Sequence, residues 1–282
     1  MIIKEDLSNF LMSADKYKFD FELIDIIDRH KENETYPPLY RYSPADYNNI
    51  RMLETKSVFL APIGEMNDAF EGICSEIKEN EYLEGRFNNI AYIKCFSERN
   101  DNLTMWGLYA DCYSGMCIKY DVNKLKDTEY EHLLYHLYPV VYSDKRIVDE
   151  QLRLTMDEYR DYFRDLDDKQ GFQQNYDFLF DILHMFLIKN SAWESEKEWR
   201  IVVTSPQLEM SDDDFDENED SKKKMALIKS RTILFDCIQE IYIGPRMEKH
   251  KRQHIKDIAK ALGVPAIEMR LSDTEYKLVP KA

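Results

Sequence analysis

Short apolar runs of strand length, set apart by polar turns, constrain this chain more than anything else in it. They lie at 39–42, 57–61, 90–96, 116–120, 138–142, 199–203, 239–243 and 266–271. Each is too short for a core helix and rich in β-branched or aromatic residues, so each reads as a strand. A helical period stands between the last two runs, at 248–262, which predicts one strand–helix–strand unit. The pattern predicts an α+β fold with one or two packed sheets, not a doubly wound parallel sheet. Residues 148–190 change to helical spacing, with Leu152, Met156, Tyr159 and Phe163 three or four apart. That stripe must be buried, so a helical insert covering a sheet face is expected. Residues 1–36 read as an N-terminal helical arm, with Phe19, Leu23, Ile26 and Ile27 on one face, and Pro37-Pro38 ends it. Residues 37–275 are then expected to form one domain. Within it, residues 209–220 hold eight acids, followed by Lys222, Lys223 and Lys224. Such a block repels itself, and 209–224 is read as a mobile loop.

Composition removes several classes of function. The 282 residues carry a formal charge of −16, so a uniformly basic nucleic-acid binder is excluded, while a local basic groove is not. With Gly at 8 and Pro at 9, the chain is neither collagen-like nor a linker. Five cysteines without CxxC spacing indicate neither a disulfide framework nor a structural zinc site. The most apolar stretch, 178–188, is broken by Asp181 and His184, so no membrane span is expected and the cytoplasm is the expected compartment. No P-loop, GxGxxG or GxSxG occurs. His132 and His136, and His250 and His254, have helical i, i+4 spacing, but no third ligand accompanies either pair.

Four segments carry chemistry. In Leu39-Tyr40-Arg41-Tyr42-Ser43, strand alternation points Arg41 away from both tyrosines. An inward Arg41 needs an anion, and phosphate suits its planar fork; an edge-strand surface arginine is the plainer reading. Asn67-Asp68-Ala69-Phe70-Glu71 is a polar turn in which Asp68 either lines a site or caps a helix. Phe96-Ser97 leads through Asn100-Asp101 to Met105-Trp106, either a site wall or a core-packed turn. In Trp193–Arg200, residues Glu194, Glu196, Glu198 and Arg200 share a face if the strand extends that far. They form either a surface ladder or a carboxylate held at a cleft edge.

Together these segments resemble a bacterial family catalogued as domain of unknown function twenty-nine seventy-one. Its pattern is a K/R-Y strand, NDPFE, CFS with ND, MW, YA and H.G, then EKEWR and a late IxxIxxG strand. Arg41-Tyr42, Asn67 to Glu71, Phe96-Ser97, Met105-Trp106, Tyr109-Ala110 with Gly115, Glu196 to Arg200, and Glu240 to Gly244 match it. Ala69 replaces the usual proline, and Tyr113 stands where histidine is common. More distantly, the order of elements is similar to DarT-type ADP-ribosyltransferases, with Arg41 in place of a histidine in their LYHxT strand.

That second resemblance implies an ADP-ribosyltransferase-like mixed or antiparallel sheet and an NAD-consuming activity, with a toxin or phage-defence role. It implies Glu198 or Glu196 as the carboxylate facing an oxocarbenium-like ribose. Arg41, Tyr42, Asn67, Asp68, Phe96, Ser97 and Trp106 would contact NAD, which serves as co-substrate. The acceptor would be a nucleic acid or a protein, and no metal is implied. Two other readings stay open. One is a binding module for a nucleotide or nucleic-acid end without chemistry. The other is a metal-dependent nuclease using Asp68, Glu71 and Glu98.

Overall fold

The computed structural model describes residues 36–68, 70–71, 91–126, 128, 130–144, 186–204 and 231–281. The N-terminal arm up to residue 35, the insert up to residue 185 and the acidic loop at 209–224 fall outside these residues.

The strands are β1 (Leu39–Ser43), β2 (Ser57–Phe59), β3 (Ala61–Pro62), β4 (Ala91–Ser97), β5 (Met116–Tyr120), β6 (Leu137–Pro139) and β7 (Val141–Tyr142). They continue as β8 (Ile188–Lys189), β9 (Glu198–Thr204), β10 (Thr232–Leu234), β11 (Ile238–Ile243), β12 (Ala266–Leu271) and β13 (Leu278–Pro280). Among the described residues three α-helices accompany them: α1 (Tyr47–Glu54), α2 (Leu103–Leu108) and α3 (Lys249–Leu262). The main sheet has nine strands in the order β13-β12-β11-β5-β1-β4-β9-β6, with β3 added beside β4. Within it, β11 and β12 are parallel and the other pairs antiparallel. The protein is therefore mixed α+β, with a large sheet and few helices among the described residues.

The parallel pair is the strand–helix–strand unit read from the sequence. Its crossover helix α3 buries Ile255, Ile258 and Ala259 and ends at Gly263, whose φ of 70° suits a residue without Cβ. With Leu53 of α1, these residues join a large core on one face of the sheet that includes Leu39, Ile118, Ile241 and Ile243. On the other face α2 sets Met105 and Trp106 against Tyr42, Cys117 and Tyr242. Helix α1 is capped by Asp46, whose side chain accepts from the Asn49 N–H.

Two of the expected strands are broken. The 57–61 run divides at Leu60, whose N–H donates to the Arg231 carbonyl, so β2 pairs with β10 while β3 joins the main sheet. The 138–142 run divides after Pro139, which has no N–H to continue a ladder; β7 leaves to pair with β8.

After α2 the chain turns through Asp111, Cys112 and Tyr113 with φ of 47°, 49° and 72°. Glycine is needed where that turn meets the sheet: a Cβ on Gly244 would stand 2.2 Å from the Tyr113 carbonyl oxygen. This close crossing holds α2, and with it Tyr109, over the strand ends.

Candidate functional site

The site is a gap in the sheet. β4 pairs with β9 along its whole length, from Ala91↔Thr204 to Ser97↔Glu198. On its other edge it pairs with β3 at Tyr92 and Ile93 and with β1 at Ser97, leaving Lys94, Cys95 and Phe96 without a strand partner there. β1 follows β5 through all its residues, so beyond Tyr40 it diverges from β4. The opening is a cavity of about 230 Å³. Because side chains alternate faces along a strand, the gap is lined from both faces: Arg41 and Lys94, but also Tyr42 and Cys95.

One side of the cavity is a buried charge cluster. Arg200 donates from Nε to Glu198 Oε1 at 2.8 Å and from Nη2 to Glu198 Oε2 at 3.1 Å. It also donates to Glu71 Oε1 at 2.6 Å and to the Phe186 carbonyl at 2.5 Å. Lys189 Nζ lies 2.8 Å from Glu196, 3.0 Å from Glu198 and 3.3 Å from Glu71. Tyr109 donates to Glu196 Oε1 at 2.9 Å. Local structure aims these groups. Glu198 and Arg200 share a face of β9 by strand period, whereas Glu196 ends a 3-10 turn, Ser191–Glu196, and is followed by left-handed Lys197. The strand thus does not reach back to Glu194, which is exposed and pairs with Lys197.

The two neighbouring carboxylates are driven apart. Burial would raise the Glu198 carboxyl, but Arg200 and Lys189 overcome it and hold the group at about 2. Burial raises Glu196 above the ordinary carboxylate range, and Lys189 offsets this only in part. Burial would strip the proton from Lys189, yet Glu198, Glu71 and Glu196 hold it on. A depressed carboxylate contributes stability above its unfolded pKa and loses it as pH falls through its folded pKa. Glu198 should therefore contribute ~3 kcal/mol that disappears between about pH 4.5 and pH 2. Glu198→Gln should be less stable than the parent at neutral pH, and the difference should narrow across that interval in denaturant titrations. A constant difference would show that Glu198 is not held ionised.

The opposite side is cationic. Arg41 donates from Nη2 to Asn49 Oδ1 at 2.7 Å, and Asn49 is itself held by Asp46. No carboxylate pairs with Arg41 among the described residues. Lys94 is half-buried, lines the same cavity, and makes no hydrogen bond or ion pair among those residues. Burial, and then Arg41, push its pKa well below the ordinary lysine value.

Residues 105–201 match the model of a family described as Protein of unknown function (DUF2971). Over that stretch, and not over the whole chain, the protein is similar to that family. The DUF2971 stretch runs from Met105 in α2 to Ile201 in β9, so it supplies Tyr109, Lys189, Glu196, Glu198 and Arg200, while Arg41 and Lys94 come from outside it. No curated protein and no solved structure matches the chain. The DarT-type likeness has no counterpart in these comparisons.

Of the residues singled out in the sequence, Arg41, Tyr42, Asn67, Phe96, Glu196 and Glu198 line the cavity. Trp106 does not. It is fully buried beneath Tyr42, edge-on with ring centroids 5.4 Å apart, and donates to the Asn100 carbonyl. Ser97 is buried and donates to the Glu196 carbonyl at 2.6 Å, bracing the turn that carries Glu196. Asp68 is not among the cavity residues; it accepts from the Phe70 N–H within the turn that follows it. The proposed metal ligands do not converge. Glu71 is engaged by Arg200 and Lys189, Glu98 accepts from the Trp199 indole, and no group of three metal-ligating side chains forms among the described residues. His250 and His254 are exposed on α3, the first beside Glu248 and the second beside Glu54.

Sequence reasoning missed Lys94 and Lys189. Each had a signal, since each is a lysine inside or ending an apolar run, Ile93-Lys94-Cys95 and Leu187-Ile188-Lys189. No helix of the described residues is long and apolar enough to cross a membrane.

Proposed function

We propose that the gap binds a nucleotide and cleaves an N-glycosidic bond, with NAD as co-substrate, as an ADP-ribosyltransferase or NAD glycohydrolase. The observation that carries this reading is one cavity holding Arg41 and Lys94, neither paired with a carboxylate among the described residues, opposite two carboxylates of unlike acidity. Pairs of titratable groups pushed apart by their surroundings mark divided chemical roles. As the ribose–nicotinamide bond breaks, its electron pair leaves with neutral nicotinamide and positive charge spreads over the ribose. Glu198, held ionised at neutral pH by Arg200 and Lys189, supplies fixed negative charge and needs no reorganisation to do so. The leaving group takes no proton, so Glu196 is free to act as base and accept one from the attacking hydroxyl, amine or water. Arg41 forks onto phosphate, and Tyr40, Tyr42 and Phe96 offer ring surface. At about 230 Å³ the gap is smaller than the ~300–1,000 Å³ of pockets that enclose a whole ligand, so it suits one nucleotide half of a dinucleotide.

A non-catalytic binding module is the second reading. It is favoured by one observation: both oxygens of Glu198 are already engaged by cations. Nicotinamide release, followed chromatographically with water alone and with DNA, RNA and protein acceptors, separates the two. Release with at least one acceptor is expected, together with calorimetric NAD binding that weakens in Arg41→Ala. NAD binding without release under any acceptor would leave the binding module, and no NAD binding at millimolar concentration would overturn both.

A further inference from the structure

Lys94 is given no step in the proposed chemistry, yet it is a basic side chain inside the cavity with no acid bound to it among the described residues. It stands in mid-strand on β4, opposite apolar Ile201 of β9, at the edge where the ladder has no partner. The charges that face it are few. Arg41 approaches from β1, and Cys95 is its neighbour on β4. The cavity's other acids are Glu65 and the carboxylates of Glu71, Glu196 and Glu198, the last three already bound to Lys189 and Arg200. Arg41 and Lys94 therefore share a cavity in which three of the four acids are engaged by other cations. Buried charges are paired or they are given up. Lys94 gives up its proton more readily than an ordinary lysine, since burial and then Arg41 lower its pKa well below the usual value.

We propose that Arg41 and Lys94 form a phosphate subsite, and that a phosphomonoester seated there is bound with uptake of one proton at Lys94. The assignment rests on the nucleotide reading of the cavity and extends it. Arg41 is already fixed in place by Asn49 and needs no reordering to present its fork. A phosphate dianion beside Lys94 supplies the counter-charge that the neighbouring side chains do not, and so favours the protonated amine, the proton coming from solvent. No bond forms or breaks beyond that protonation. Linkage fixes the sign: the loaded state holds one more proton, so affinity must fall as pH rises above the empty-state pKa of Lys94.

The test is titration calorimetry of the full chain with a nucleoside monophosphate, AMP, in two buffers of different ionisation heat at pH 8. There the phosphate, with its second pKa near ~6, is already dianionic and takes up no proton of its own. The parent should take up protons on binding AMP, read as an apparent binding heat that differs between the two buffers. Lys94→Met should take up none and bind ~10-fold or more weakly, as expected for loss of a charge-assisted contact. It should melt no lower than the parent, since it replaces an uncompensated buried amine with an apolar chain of like shape. Arg41→Ala should also bind weakly, and with less proton uptake, because Lys94 alone keeps its proton more readily. Equal uptake in the parent and Lys94→Met would overturn the proposal, as would absence of AMP binding at millimolar concentration. Proton-linked AMP binding without nicotinamide release would leave the subsite standing and remove the catalytic reading. Nicotinamide release without proton-linked AMP binding would do the reverse.

Discussion

Arg200→Met should cost the protein ~3–5 kcal/mol, enough to lower its melting point by roughly 10 °C. Arg200 is 1% exposed and donates to Glu198 twice, to Glu71 once and to the Phe186 carbonyl. Its removal leaves Lys189 alone against three buried carboxylates, and uncompensated buried charge is what makes breaking such a network expensive. Arg200→Lys keeps the charge but loses the planar fork, and should recover only part of the loss. The carboxylates should respond as well, with Glu198 losing the larger of the two attractions that hold it near 2. Denaturant unfolding of the three proteins at neutral pH and at pH 3 gives the measurement. A loss under ~1 kcal/mol would mean that water reaches the cluster and screens it, as it does at exposed pairs.

Glu198→Gln should lower the turnover of NAD by ~10²–10³-fold while changing its affinity little. That is the size of effect seen when one preorganised electrostatic group is removed. Gln keeps the shape and some of the hydrogen bonds to Arg200 and Lys189 but offers no negative charge to the ribose. The loss therefore appears in kcat before KM. Glu196→Gln should act differently. As a base, Glu196 works only when ionised, so activity should rise with pH through its raised pKa. The acid limb should then lie above the ordinary carboxylate range and disappear in the variant. Equal losses of kcat and affinity in Glu198→Gln, or an unchanged rate, would remove Glu198 from the reaction.

The strands were legible because most of them need only local information. Met116–Tyr120 and Ala266–Leu271 are apolar runs bounded by turns, and both form where the sequence places them. β8, β10 and β13 are two or three residues long, too short for a period to register, and they exist because a neighbour pairs with them. The site was half legible. Arg41, Glu196 and Glu198 stand out as charged residues beside aromatic and apolar ones. Trp106 was overvalued for the same reason: its place in a distinctive motif says nothing of whether its ring faces a gap or a core. Lys189 and Lys94 were passed over because a lysine in an apolar run looks like a snorkelling surface residue until its neighbours are known. Which of two lysines receives three carboxylates and which receives none depends on strand order, and no spacing in the sequence encodes that.

The nine-stranded sheet ends in β13 on one side and β6 on the other, each three residues long and each finishing in proline, Pro280 and Pro139. A foreign strand adds to a sheet by reading a row of free N–H and C=O groups, and a border this short that ends without an N–H offers almost none. The gap beside Lys94, Cys95 and Phe96 is the one long stretch of unsatisfied ladder on β4, but β1 and β3 close it at both ends. The same architecture that leaves backbone open to a small ligand thus denies it to a polypeptide. Among the described residues, the two border strands of this sheet therefore give a second copy of the chain little ladder to continue.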